Sequence, residues 1–272
     1  MEFRISEQEL ELLLNDMLDV HGYDFTSYSK ASLTRRVNRL MSVDRFPSFA
    51  EFWFRVKNDK SYLKRFIEEI TVNVTEMFRD PSFYAALRKV ILPQLATRPF
   101  IRIWHAGCAT GEEVYSMAIL LHEANLLNKS LLYATDINPD VLEEAGKGIF
   151  PLNYMKQYSE NYIESGGRND FSSYYTAKYD KVIFKEMFRK KMIFSTHNLV
   201  SDGSFNEFQL ILCRNVLIYF DKDLQEKVMT LFDNSLERLG YLALGAKETL
   251  RFSNISNNYQ QIPAEKIWKK IK

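Results

Sequence analysis

The sequence is poor in the residues from which disulfides and metal sites are built. Its 272 residues include two cysteines, Cys108 and Cys213, and four scattered histidines, with no spacing typical of a zinc site. Both cysteines fall at the inner ends of apolar segments, so we expect small packed thiols and no bound metal. A Gly-x-Gly-x-x-Gly motif is also missing, which disfavours a dinucleotide site of the usual kind.

The chain has neither an excess of one charge nor a long apolar run. Lys and Arg number 36 against 35 Asp and Glu, a balance that disfavours a broad nucleic-acid-binding surface. No apolar run approaches the roughly 18 residues that cross a bilayer, and the N-terminus lacks the basic-then-apolar layout of a signal peptide. We therefore expect a soluble, cytoplasmic protein with no nucleic-acid partner and no membrane insertion.

The N-terminal part of the sequence is predicted to be helical. Ser6-x-x-Glu9 is a capping box, Pro47-Ser48 begins a second helix, and residues 61–70 carry apolar side chains on one face. Residues 71–80 interrupt this periodicity, and Asp80-Pro81 then caps a helix that reaches about residue 95. We predict a helical domain over residues 1–71, followed by a linker and connecting helix over residues 72–98.

From Ile101 onward, predicted strands and helices alternate. This order is typical of a doubly wound, Rossmann-like parallel sheet with right-handed crossovers, which we place at residues 99–272. Between about residues 148 and 197 the pattern changes to a Tyr-rich loop and two short hairpin-type strands, at residues 181–185 and 192–195. We interpret this segment as a small antiparallel β insert. A helix is expected over residues 222–239.

A small-residue turn directly follows the first predicted strand. Gly107 and Gly111 allow a sharp turn and a close backbone approach to a ligand. Glu112 and Glu113 then begin the helix with negative charge, which repels a pyrophosphate. A cationic, hydroxyl-rich ligand such as S-adenosylmethionine suits this turn better, although tight packing alone also explains such a bend.

Two further strand ends are expected to meet this turn. Asp136 closes the next apolar strand about 25 residues after Gly111, where doubly wound folds place a carboxylate that accepts ribose hydroxyls. Asn138 is the better cap for the helix that begins at Pro139, so Asp136 is available for a ligand. A third strand ends before Arg214 and Asn215, which predicts one crevice at the strand ends.

A basic helix is predicted around residues 30–41. Arg35, Arg36 and Arg39 fall within about a 100° arc, and the apolar residues occupy the opposite side. The arginine face is either a surface that attracts an acidic partner or an ordinary solvated face.

With these motifs together, the chain closely resembles the chemotaxis-receptor glutamate O-methyltransferases, the CheR family. The resemblance covers nearly the whole chain: the paired arginines of the N-terminal domain are followed by five motifs in order. These motifs are Asn73-Val-Thr-Glu-Met-Phe-Arg-Asp80, Ala106-Gly-Cys-Ala-Thr-Gly-Glu-Glu113, Ala134-Thr-Asp-Ile137, His197-Asn-Leu199 and Cys213-Arg-Asn-Val-Leu-Ile-Tyr-Phe-Asp221.

The resemblance implies S-adenosylmethionine as cofactor, S-adenosylhomocysteine as its product, and a set of site residues. Cofactor contacts are implied for Asn73, Thr75, Arg79, Glu113, Asp136, Asn198, Leu199, Asn215 and Val216, in addition to Gly107, which the turn itself predicts. Arg79 and Tyr219 are implied near the transferring methyl group, and the basic helix is implied to face the acidic methylation helices of a membrane-bound chemoreceptor. In some members the β insert binds a receptor tail peptide.

The expected reaction needs no general base. A glutamate with a pKa near about 4.3 is already an anionic nucleophile at neutral pH, so orientation against the methyl–sulfonium bond supplies the catalysis. Arg79 is the candidate for holding a carboxylate and Tyr219 for donating a hydrogen bond at the reacting centre. The alternatives are a binding module that senses S-adenosylmethionine without catalysis and a methyltransferase acting on another protein, a small molecule or nucleic acid.

Overall fold

The computed structural model describes residues 4–71, 75–263 and 265–272. The chain divides into two compact units, one formed by Met1–Asn73 with Leu217–Val228 and the other by Val74–Val216 with Met229–Lys272. The domain boundaries predicted from the sequence placed residues 217–228 with the α/β domain, and those boundaries stay a prediction.

Amphipathic helices build the first unit. They are α1 (Glu7–His21), α2 (Lys30–Val43), α3 (Phe49–Asn58) and α4 (Lys60–Thr71). Ser6 and Glu9 form the expected capping box on α1, and Ser48 caps α3 by accepting from the amide of Glu51. Buried residues recur at helical spacing, for example Leu33, Val37 and Leu40 on α2, so each helix buries one apolar face.

The second unit contains the strands. Its elements, with α11 running from one unit into the other, are α5 (Pro81–Ala86), α6 (Leu92–Leu95), β1 (Ile101–Ala106), α7 (Glu112–Glu123), β2 (Ser130–Asp136), α8 (Pro139–Lys147), β3 (Ile149–Pro151), α9 (Met155–Glu164), β4 (Tyr175–Lys178), β5 (Lys181–Phe184), α10 (Glu186–Arg189), β6 (Met192–Thr196), β7 (Phe208–Cys213), α11 (Lys222–Ser235), β8 (Leu236–Leu244), β9 (Tyr259–Gln261) and β10 (Ile267–Lys270). A π-helical turn, Leu87–Ile91, joins α5 to α6.

The central sheet has the strand order β6-β2-β1-β7-β8-β10-β9. The first five strands in this order pair in parallel, and β10 runs antiparallel to both of its neighbours. The chain proceeds from β1 through β2 to β6 and then returns to β7 on the other side of β1. The order therefore reverses between β1 and β7, and the carboxyl ends of these two strands form the switch point where open α/β sheets bind ligands.

The β insert is a separate antiparallel sheet with the order β3-β5-β4. The prediction of a small antiparallel insert is confirmed, but the prediction that residues 192–195 belong to a hairpin was wrong. They lie in β6, which pairs in parallel with β2 from Met192 to Thr196. Because β6 is an edge strand with partly exposed residues, its pattern resembles that of a hairpin strand.

The helix expected over residues 222–239 is shorter than predicted. It ends at Ser235, and Leu236 begins β8 by pairing with Phe208 of β7. The described helices also include none long and apolar enough to cross a bilayer.

A carboxylate near the end of α7 connects three elements of the second unit. Glu123 accepts hydrogen bonds from the hydroxyls of Tyr162 and Tyr174, the latter at 2.7 Å, and pairs with Arg88. Tyr174 is buried, and burial raises the pKa of its hydroxyl, so the group stays a donor. This network fixes α9 and the segment before β4 against α7.

We predict that Tyr174→Phe lowers the free energy of unfolding by about 1.5–3 kcal/mol, because it removes a hydrogen bond to a charged acceptor in a buried position. Urea unfolding followed by circular dichroism measures the change. Tyr175→Phe is the matched control, since no side-chain hydrogen bond of Tyr175 occurs among the described residues. Equal losses in the two variants would show that the bond to Glu123 contributes nothing specific.

Candidate active site

The turn after β1 contains a glycine in a left-handed conformation and is held in place by backbone hydrogen bonds. Gly107 has φ of 75°, a left-handed conformation that favours glycine. An added Cβ at this position would lie 2.5 Å from Cγ2 of Val216, which follows β7. The amides of Gly107 and Cys108 both donate to the carbonyl oxygen of Thr135 in β2. The ends of β1, β2 and β7 therefore meet around this turn, as the sequence predicted.

Asp136 holds the turn through its carboxylate. One oxygen accepts from the amide of Ala109 at 3.0 Å and the other from the amide of Asn138 at 3.0 Å. The side chain is buried, and burial raises its pKa despite these two bonds. Two hydrogen bonds do not use all the lone pairs of a carboxylate. When it is ionised, Asp136 can therefore also accept hydrogen bonds from ligand hydroxyls.

The surroundings of Asp136 test whether the crevice fits S-adenosylmethionine. Asn138 is the N-cap of α8 through its side-chain oxygen, and its buried Nδ2 has no hydrogen-bond partner in the described part of the chain. A carboxylate acceptor and an amide donor beside a glycine turn fit the hydroxyl-rich ribose. Glu112, buried at the start of α7, adds a carboxyl group whose pKa is raised by burial. The crevice therefore fits a ribose-bearing cation better than a pyrophosphate.

Glu113 has partners within the protein that the sequence did not suggest. His105 Nδ1 lies 2.9 Å from one carboxylate oxygen, and Arg214 Nη1 donates to the other at 3.3 Å. Burial opposes ionisation of Glu113, but the hydrogen bond from His105 and the charge of Arg214 bring its pKa below the usual value. Glu113 is therefore an ionised group that orients Arg214, and direct cofactor contact by Glu113 stays a prediction.

Arg214 joins the end of β7 to the segment that precedes α5. Its Nη2 donates to Asp80 at 2.5 Å and to the carbonyl oxygen of Arg79 at 3.2 Å, and its guanidinium lies 4.1 Å from the ring centroid of Phe83. Asp80 was expected to cap α5, but its side chain makes no cap bond and pairs with Arg214 instead. The motif Cys213-Arg-Asn contained the signal for Arg214, because a cation directly after a buried strand needs an acidic partner.

The other residues predicted to contact the cofactor lie in loops or outside the described residues. Asn73 lies outside the described residues. Thr75 is in an irregular segment, and Leu199 is buried. Asn198 accepts from the amide of Val200, and Asn215 has φ of 63° with its amide donating to Glu248. Their contacts with a cofactor stay predictions.

The basic helix and Tyr219 belong to the first unit. Arg36 is partly buried, lies 5.2 Å from the ring centroid of Tyr219, and donates to the carbonyl oxygen of Glu69 at 3.0 Å. Arg39 pairs with Glu69 at 2.6 Å while remaining 68% exposed, and Arg35 is exposed. The three arginines therefore differ, since Arg36 packs inside its unit and Arg35 and Arg39 face solvent.

A short antiparallel bridge holds the segment that carries Tyr219. The amide of Ser29 donates to the carbonyl of Tyr219 at 2.8 Å, and that of Asp221 donates to the carbonyl of Ser27 at 3.0 Å. The rings of Tyr28 and Phe220 pack edge to face between these bonds. Tyr219 is thus fixed next to α2.

The switch-point crevice, its glycine turn and the buried acid after β2 are those of the S-adenosylmethionine-binding methyltransferases. Comparison with known families agrees: the model of the CheR methyltransferase SAM-binding domain matches residues 73–267, and that of the CheR all-alpha domain matches residues 8–71. The chain belongs to the CheR methyltransferase family.

Individual relatives match over most of their length. The Cher3 protein of Pseudomonas putida is 42% identical over 268 residues, which are 98% of each chain. The chemotaxis protein methyltransferase of Listeria monocytogenes is 32% identical and covers 84% of this chain and 85% of its own. That of Borreliella burgdorferi is 31% identical over 92% of this chain and 91% of its own.

The position of Asp136 predicts a pH-dependent affinity for S-adenosylhomocysteine. Ligand hydroxyls that donate to the carboxylate favour its ionised form, so the bound state has a lower pKa than the free protein, in which burial has raised it. Affinity should therefore fall as the pH falls through the raised pKa and stay level above it. Calorimetry across acidic to neutral pH measures this effect.

Asp136→Asn is the matched variant for that measurement. It removes the titrating group, so its weaker binding should lack this pH dependence. A wild-type affinity that stays constant on acidification, or a variant that keeps the wild-type pH profile, would contradict the assignment of the carboxylate to the ligand.

Proposed function

We propose that the protein transfers the methyl group of S-adenosylmethionine to glutamate side chains of methyl-accepting chemotaxis receptors and forms glutamate methyl esters. The proposal rests on the relatives named chemotaxis protein methyltransferase, which align with 84% and 92% of this chain. The proposed setting is the cytoplasm, beside membrane-bound receptors.

The proposed chemistry uses few groups of the protein. The cofactor supplies an electrophilic methyl group on a sulfonium. An anionic glutamate oxygen attacks that methyl group, the carbon–sulfur bond breaks, and the electron pair stays on sulfur as S-adenosylhomocysteine forms. Asp136 would hold the ribose, and Arg79 would hold a carboxylate of the cofactor or substrate. Orientation accounts for most of the rate, since no proton has to be removed from an ionised glutamate.

Receptor methylation is tested with methyl-labelled cofactor and membranes from the host. The label should enter membrane protein and be released by alkali as methanol, because carboxyl esters hydrolyse at high pH. Alkali-stable label on protein, or label on nucleic acid or a small molecule, would contradict the proposal. Cofactor binding without any transfer to these membranes would instead favour the sensor alternative.

Tyr219→Phe tests whether the tyrosine hydroxyl acts at the reacting centre. The ring that packs against Arg36 is kept, so the fold of the first unit should be preserved. We expect single-turnover ester formation to slow by about tenfold, the effect of losing a hydrogen bond of about 1.4 kcal/mol in the transition state, with little change in cofactor affinity. Arg79→Ala, in contrast, should reduce both turnover and cofactor affinity.

A wild-type rate for Tyr219→Phe would leave the tyrosine a packing role only. Tyr28→Phe is a suitable control, because Tyr28 lies in the same bridge and packs on Phe220.

The exposed arginines of α2 are proposed to attract the acidic receptor surface. Arg35→Gln combined with Arg39→Gln should raise the KM for receptor membranes by about three- to tenfold at low salt and reduce its salt dependence. Cofactor affinity measured by calorimetry should not change. Lys89→Gln with Lys156→Gln removes the same charge from exposed sites elsewhere and should leave KM near wild type. Equal effects in the two double variants would remove α2 from recognition.

A further inference from the structure

A cavity of about 480 Å³ lies in the second unit at the carboxyl ends of β7 and β8. Its buried part is formed by Phe83 and Arg214, and Asp80 borders it. Arg251, Gln261 and Lys266 line its outer part, where the amide of Leu244 donates to the carbonyl of Lys266 and ties the start of β10 to the end of β8.

This cavity is distinct from the crevice around Asp136. In the sheet order, β1 separates β2, which ends at Asp136, from β7 and β8, which border the cavity. Neither Asp136 nor Gly107 lines it. It is nevertheless adjacent to the proposed reaction centre, because Arg214 lines it and binds the carbonyl oxygen of Arg79.

Two cations in the cavity have no acidic partner among the residues that the structure describes. Arg251 donates from Nε and Nη2 to the side-chain oxygen of Gln261, at 3.2 and 2.9 Å, which orients the guanidinium but does not neutralise it. Neither Arg251 nor Lys266 forms an ion pair with any described residue. Glu265 also lines the cavity, and it too has no ion pair among the described residues, so the unpaired charges sum to one positive charge.

Arg214 lines the same cavity but, unlike Arg251 and Lys266, forms ion pairs with described residues. Its guanidinium pairs with two carboxylates, Asp80 and Glu113, so it contributes no free positive charge to the cavity. Arg251 and Lys266 therefore supply the attraction for an incoming anion. A guanidinium held by one neutral acceptor and a neighbouring ammonium are suited to a carboxylate.

We propose that the Arg251–Lys266 cavity binds a carboxylate side chain of the protein substrate that lies close to the glutamate undergoing methylation. The inference rests on the proposed function and deepens it, since it gives the α/β unit a substrate contact of its own besides the exposed arginines of α2. The protein would accordingly prefer a glutamate that has another acidic residue nearby.

The test compares two double variants that remove equal charge. Arg251→Gln with Lys266→Gln should raise the KM for receptor membranes by about three- to tenfold at low salt, as expected for two solvent-accessible charge contacts, with kcat changed less than twofold. Lys89→Gln with Lys156→Gln, both at exposed positions away from the cavity, should keep the wild-type KM. Thermal unfolding of both variants checks that they fold.

Two further measurements separate the occupants of the cavity. Poly-L-glutamate should inhibit methylation by wild-type protein and bind it in calorimetry, and the cavity variant should bind it about threefold or more weakly than the control variant. The affinity for S-adenosylhomocysteine should be the same in all three proteins. Weaker S-adenosylhomocysteine binding in the cavity variant alone would overturn the inference by assigning the cations to the cofactor.

The outcomes also distinguish this inference from the proposed function. Receptor methylation with the same KM in both double variants would overturn the inference and leave the proposed function intact. No receptor methylation by wild-type protein would overturn the proposed function, and poly-L-glutamate binding that depends on Arg251 and Lys266 would still support a carboxylate subsite.

Discussion

Arg214 is a buried cation between two carboxylates, and the geometry of the candidate active site depends on it. Burial alone would lower the pKa of its guanidinium, but Glu113 and Asp80 raise it, so the charge is retained. Through the same group, the end of β7 is joined to α7, to Asp80 and to the backbone of Arg79. Removing one member of such a buried set typically costs about 3–5 kcal/mol, because the remaining charges lose their partners.

Two different sites lie at the carboxyl ends of the strands on either side of the switch point. On one side of the switch point, Asp136 and the turn at Gly107 provide a small, buried acceptor site suited to a ribose. On the other side, Arg214 borders the cavity that contains Arg251 and Lys266, which we propose binds a carboxylate of the substrate. Arg214 of this network both lines the cavity and donates to the carbonyl oxygen of Arg79.

Much of the fold followed from local patterns, whereas the partners of charged side chains did not. The glycine turn, the acid after β2 and the helix caps depend on neighbours in sequence, and the crevice was predicted from them. The ion pairs of Arg214 join residues 101 and 134 positions apart, and nothing in the periodicity identifies such pairs. Residues 192–195 were misassigned for the same reason, because pairing with β2 is a long-range property. The contact of Arg36 with Tyr219 is also long-range, so the spacing of the arginines on α2 could not indicate it.

The most direct test of this account is the affinity of Arg214→Lys for S-adenosylhomocysteine, measured by calorimetry alongside thermal unfolding. Lysine keeps the positive charge, but a single ammonium cannot reproduce the planar fork that contacts Glu113, Asp80 and the carbonyl of Arg79 together. We predict a folded variant whose affinity falls by about tenfold or more, whereas Arg251→Lys should bind S-adenosylhomocysteine like wild type. Unchanged affinity in folded Arg214→Lys would contradict the claim that this ion-pair network shapes the cofactor site.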